Sequence, residues 1–253
     1  MSIAFISAVV PVLLLLYFIY KKDKYQPEPL GKLILTFLVG CFSVIPAAMM
    51  ESVLMMFSPS AEALPVTNGV YTGYVVAGFS EELCKLLLLL LVIWKSPHFD
   101  EYFDGIVYAA YLSLGFACVE NIGYVLEGND QLMTALFRGV LAVPAHFLFA
   151  VTMGYYVSLA KFDPSNRARH FLHALLYPLL MHGTYDALLM VSDNMGGDDT
   201  TNAVICVILF VIFIVFDIKL WRWGLKRIKK MQERSKEQGF DRMNPFEGFT
   251  WDI

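Results

Sequence analysis

Residues 69–94 read GVYTGYVVAGFSEELCKLLLLLLVIW. The stretch is long and apolar enough to cross a bilayer as a helix, which takes about 20 residues. Yet Glu81, Glu82 and Lys85 sit in its middle. Charge at bilayer depth is costly, so ionisable groups there are functional candidates by default. Glu81 and Lys85 are four apart, on one helix face, in the favourable acid-before-base order. Glu82 points about 100° away. An intrahelical ion pair accounts for one glutamate and the lysine, and leaves the second glutamate unexplained.

Working outward, the same kind of segment recurs at 3–20, 31–57, 104–126, 132–160, 171–191 and 201–221. The chain is 57% hydrophobic and 17% charged, against about 25% charged for a soluble domain. The expected fold class is therefore all-α, a polytopic transmembrane helical bundle of about seven spans. A β-barrel would show short alternating segments, and none is present. Residues 1–230 read as a single transmembrane domain, with 231–253 a short polar cytoplasmic tail to which no function is assigned. Pro46 and Pro144 lie inside long segments, so a kink is expected at each. Cys41, Cys84, Cys118 and Cys206 all fall in apolar segments without a CxxC pair, which suits packing rather than disulfides or thiolate zinc.

Basic residues set the expected orientation. Lys21, Lys22, Lys24, Lys32, Lys95, Lys161, Arg167 and Arg169 fall on one side, together with the tail run from Lys219 to Arg242. The opposite connections, near 58–67, 127–131 and 192–199, hold Glu62, Glu127, Asp130, Asp193, Asp198 and Asp199 but no Lys or Arg. The positive-inside rule then places the N-terminus outside and the C-terminus in the cytoplasm. The first segment has no basic residue before its apolar run, so it reads as a retained helix rather than a cleaved signal. The basic run from Lys226 to Lys230 suits contact with membrane lipid. No nucleic-acid partner is expected.

Four segments carry buried-type polar residues. Beside Glu81, Glu82 and Lys85 stand Glu120, which shares a face with Phe116 and Tyr124, then His146, then His182 with Asp186 four residues on. Counted along alternating spans, all of them fall in one layer, from the midplane to the outer half. Two histidines with carboxylates suit a zinc site of His2Glu type, with Glu120, His146 and His182 as candidate ligands and another glutamate as base. A metal-free route is also open, in which a glutamate activates water and histidine or asparagine stabilises the oxyanion. There is no HExxH zincin helix. Gly78-Phe79-Ser80-Glu81 lacks the second glycine of a rhomboid serine site, and Gly196-Gly197-Asp198 is not the GxGD of an aspartyl pair.

Taken together, Glu81-Glu82-x-x-Lys85, Phe116-x-x-x-Glu120-Asn121-x-x-Tyr124, His146 with Gly154, and His182-Gly183-x-Tyr185-Asp186 resemble the PrsW family of intramembrane proteases. The motifs cover residues 79–189, each on its own span. The resemblance implies a metallopeptidase of the bacterial inner membrane that makes the first cut in an anti-sigma factor, a single-pass membrane substrate, on the outer side of the bilayer. It also implies a distant likeness to CAAX-processing and bacteriocin-immunity proteases. The family often has a third acidic residue before the glutamate pair, where this chain has Ser80. On this reading Glu81 or Glu82 is the general base. Glu120, His146 and His182 are metal ligands or transition-state stabilisers. Lys85 pairs with a glutamate, and Asp186 orients His182. Two other classes fit the same residues less closely: a proton- or ion-coupled transporter, which lacks the expected inverted repeat, and a non-catalytic scaffold using polar groups as interhelical glue.

Overall fold

The computed structural model describes residues 2–196 and 199–243. Gly197, Asp198 and the tail 244–253 lie outside the described residues, as does the side chain of Arg242. Every regular element among the described residues is a helix, and none is a strand. The helices are α1 (Ser2–Lys22), α2 (Leu30–Met55), α3 (Pro65–Tyr71), α4 (Ser80–Ile93), α5 (Asp104–Glu127), α6 (Gln131–Val140), α7 (Ala142–Phe162), α8 (Arg167–Met195) and α9 (Thr200–Met243). A π-helical stretch, Thr72–Phe79, joins α3 to α4, and a 3-10 turn, Pro164–Asn166, precedes α8.

Among the described residues, six helical stretches are long and apolar enough to cross a membrane: Ala4–Lys22, Leu30–Met55, Asp104–Glu127, Gln131–Phe162, Pro164–Met195 and Thr200–Gly239. The seventh expected span, 69–94, is helical from Pro65 to Ile93 but changes to π geometry in its middle. Its helical parts are individually too short to count, and it carries the three charges.

Helices α5 and α7 form the centre, each buried on nearly all sides. They cross at Gly105 and Gly154. A Cβ on Gly105 would run into Ser158 Oγ and lie 2.7 Å from the Gly154 carbonyl oxygen. Only small residues allow backbones this close. Outside this pair, α2 packs on α5, and α1 is tied to it by Asn121 Nδ2, which donates to the Ala8 carbonyl at 2.8 Å. Helix α9 exposes Val207, Ile208, Phe210 and Val211. A continuous apolar face of this kind suits hydrocarbon rather than water.

The segment 132–160 is two helices rather than one kinked helix. Helix α6 ends at Val140 and α7 begins at Ala142. Pro144 explains the position, because a proline ring clashes with the carbonyl four residues earlier, here that of Val140. Helix α2, by contrast, is continuous through Pro46. The last helix runs on to Met243, well past the expected span end at 221. Its Lys-, Arg- and Glu-rich continuation favours helix. It packs back on the bundle, with Ser235 Oγ accepting from Phe103 N at 2.8 Å.

The π-helical stretch sets the register of the site. A Cβ on Gly73 would lie 2.6 Å from Ala187 N, and one on Gly183 would enter the ring of Tyr74. The chain before Ser80 therefore lies in backbone contact with α8, and Glu82 emerges beside His182.

Candidate functional site

Glu81, Glu82, Lys85, His146 and His182 converge between α4, α7 and α8, all of them buried. The Lys85 ammonium is their hub. Its Nζ lies 2.9 Å from Glu81 Oε2, 2.9 Å from Glu82 Oε1 and 3.2 Å from His146 Nδ1. It also sits 4.0 Å above the centre of the Phe116 ring. Lys85 thus pairs with both glutamates. The second contact, three residues apart, joins neighbours on the helix surface as readily as the first.

His146 and His182 stand edge to face with ring centres 5.1 Å apart. His182 stacks on Phe149. Its Nδ1 lies 2.9 Å from Glu82 Oε1 and its Nε2 lies 3.1 Å from Asp186 Oδ2. Both ring nitrogens therefore face carboxylates, and the ring is fixed in its plane. His146 Nε2 lies 2.8 Å from Glu120 Oε2. Ser113 Oγ donates to the His146 carbonyl at 3.0 Å.

Glu120 is held on its other side by Arg138. Arg138 Nη2 lies 2.8 Å from Glu120 Oε2, Nε donates to Asn121 Oδ1 at 3.2 Å, and the guanidinium lies 3.8 Å over the Tyr124 ring. Arg138 has no role in the sequence reading. Its signal was present as a lone cation beside a span, but its partner could not be named without the break at Leu141.

A cavity of about 600 Å³ opens beside the cluster. Glu81, Glu120, His146, His182 and Asp186 line it, whereas Glu82 and Lys85 stand behind. Glu51 of α2 also faces it and was missed. The signal was a single glutamate inside the apolar segment 31–57, overlooked because it had no polar company there. One donor atom from each of Glu81, Glu82, His146 and His182 lies within 4.8 Å of the others, and this group is a candidate metal-binding set. Glu120 approaches His146 from outside this set.

Most of the chain is similar to proteins of one kind. Protease PrsW of Clostridioides difficile (strain 630) is 36% identical over 244 residues, 93% of this chain and 94% of that protein. Protease PrsW of Bacillus subtilis (strain 168) is 34% identical over 230 residues, covering 90% of this chain and 95% of that one. Protease PrsW of Geobacillus kaustophilus (strain HTA426) is 33% identical over 236 residues, 92% and 93% respectively. No solved structure matches the chain. A family model described as PrsW family intramembrane metalloprotease matches residues 28–216, and the chain belongs to that family of membrane-embedded peptidases.

Proposed function

We propose that the cavity beside Glu81 is where this peptidase hydrolyses a peptide bond of a single-pass membrane protein, an anti-sigma-factor-like substrate, near the outer side of the bilayer. One observation carries the assignment of the base. Both adjacent glutamates belong to the donor cluster and bond Lys85, but Glu81 lines the cavity, while Glu82 is turned away from it to His182. Glu81 takes the proton from the attacking water and returns it to the departing amine nitrogen. Glu82 and Asp186 hold His182 between them, and Lys85 offsets the charge of both glutamates. The cavity also lies near Met55 and Tyr124, toward the ends of α2 and α5 that lead into the acidic connections. That placement supports cleavage on the outer side.

The donors suit zinc. Two imidazoles and two carboxylates converge in a buried place, and Glu82 Oε2 has no hydrogen-bond partner there. Glu82, His146 and His182 of this set would hold the ion and leave Glu81 free as the base, with Glu120 fixing the far nitrogen of His146 as a supporting carboxylate does. Zinc held there would supply a Lewis acid, able to polarise the scissile carbonyl and to make water a stronger acid. One observation favours a metal-free route instead: the Lys85 ammonium already stands among the same donors as their cation.

Cleavage of a tagged single-pass substrate in proteoliposomes tests the assignment. Glu81→Gln is expected to lower kcat/KM by about 10²–10⁴-fold, the usual worth of a general base. Full activity in Glu81→Gln would remove the glutamate from that role. Elemental mass spectrometry of active protein, beside His146→Ala/His182→Ala, separates the two routes. Stoichiometric zinc lost in the double variant supports the metal, and active protein without zinc supports water activated by glutamate alone.

A further inference from the structure

A second cluster of buried carboxylates lies at the opposite end of the bundle from the acidic connections. Asp23 follows α1, Glu101 lies in the α4–α5 connection and Asp104 opens α5. One oxygen from each lies within 4.8 Å of the other two. They are almost completely enclosed, with 5%, 1% and 0% of their surface exposed.

The pattern of their hydrogen bonds is the same in all three. One oxygen of each is held by the protein. Asp23 Oδ2 accepts from Glu28 N at 2.8 Å, and Asp104 Oδ2 accepts from Asp100 N and Glu101 N at 2.9 and 2.7 Å. Glu101 Oε2 accepts a long bond from Gln26 Nε2 at 3.5 Å. The other oxygen of each, Asp23 Oδ1, Glu101 Oε1 and Asp104 Oδ1, is buried without a hydrogen-bond partner. Glu28 adds a fourth carboxylate beside them, engaged by the Tyr108 hydroxyl.

This face carries the excess of Lys and Arg, so cations are near at hand. Among the described residues, none of them forms an ion pair with Asp23, Glu28, Glu101 or Asp104. Lys22, next to Asp23 in the chain, lies over the Phe18 ring instead. Orphaned buried carboxylate oxygens are costly unless a cation or donor meets them. Three hard oxygens, each already braced by its partner oxygen, form a preorganised anionic pocket, and the donor set contains neither sulfur nor imidazole. Such a set selects hard divalent cations over zinc.

We propose that Asp23, Glu101 and Asp104 form a binding site for a hard divalent cation of the magnesium or calcium class, separate from the peptidase centre. The ion ties the α1–α2 connection and the α4–α5 connection to the first turn of α5. Ser235 of α9 meets the same connection through Phe103 N, so four elements are pinned at one end of the bundle.

The test uses the full chain, purified in detergent and stripped with chelator at pH 7.5. Its thermal midpoint is followed while Mg²⁺, Ca²⁺ or Mn²⁺ is added, and bound Mn²⁺ is counted by electron paramagnetic resonance. A ligand that binds only the folded chain raises its stability with concentration. The expected result is a saturable rise in midpoint and one Mn²⁺ that persists in His146→Ala/His182→Ala. In Glu101→Gln, and again in Asp23→Asn, the apparent affinity falls by at least about tenfold. The arm that saturates at lowest concentration names the ion. No response of the wild type to any of the three cations overturns the proposal. So does an equal response in wild type and both variants, and so does Mn²⁺ lost only with the two histidines.

Discussion

Lys85 stands at the centre of two glutamates and a histidine, so its removal reaches further than a surface charge would. Breaking a buried ion pair from one side costs about 3–5 kcal/mol, because the remaining charges stay buried. Lys85→Met is therefore expected to lower the thermal midpoint of the purified protein as well as abolish cleavage. Loss of activity with an unchanged midpoint would show that Lys85 acts on chemistry alone. Most of this neighbourhood could be read from residue spacing. Polar residues inside apolar segments have few places to go, and the i, i+4 pairs Glu81–Lys85 and His182–Asp186 do meet. Glu82 was unexplained because only one helical neighbour was considered for Lys85. Glu51 and Arg138 were missed for another reason: their relevance depends on which helices enclose the cavity, and a single residue on one segment does not reveal its neighbours.

At the scale of elements, close backbone contacts carry the architecture. Gly154→Leu would force α5 and α7 apart where Gly105 and Gly154 touch, and overpacking of this kind costs about 1–3 kcal/mol. The expected result is a lower midpoint together with impaired cleavage, since α5 and α7 carry Glu120 and His146. The connections respond to pH. With chelator present, burial pushes Asp23 up to about 6, and burial together with repulsion from Asp23 and Asp100 pushes Glu28 and Glu101 up to about 7. Asp104 and the Tyr108 hydroxyl face the same cluster. In the unfolded chain these carboxylates titrate at their ordinary values of 3.8 and 4.5. The folded chain binds protons more tightly there, so this contribution is present in acid and lost as pH rises through about 6 to 7. Denaturation midpoints measured from pH 5 to 8 should fall, and a flat profile that Glu101→Gln leaves unchanged would refute it. Hydropathy located these helices well. The break at Leu141 was harder to see, because Pro144 predicts a disturbance but not whether a helix bends or restarts.

For the whole molecule, the asymmetry of Lys and Arg predicts sidedness. In a cysteine-free background, Asp130→Cys should react with an impermeant maleimide on intact cells, and Ser165→Cys only after permeabilisation. The reverse pattern would invert the orientation and move the cavity to the cytoplasmic side. The fold class followed directly from long apolar segments, whereas the packing order of the helices depends on contacts such as Gly73 against Ala187 that no single segment discloses. The restart at Leu141 has a mechanical consequence. Arg138 and His146 both grip Glu120, yet they ride on separate levers, a short helix with exposed Phe137 and Val140 and a buried central one. Any tilt of the short lever stretches one grip while the other stays put, so Glu120 is the joint at which movement of the membrane boundary becomes strain on a histidine.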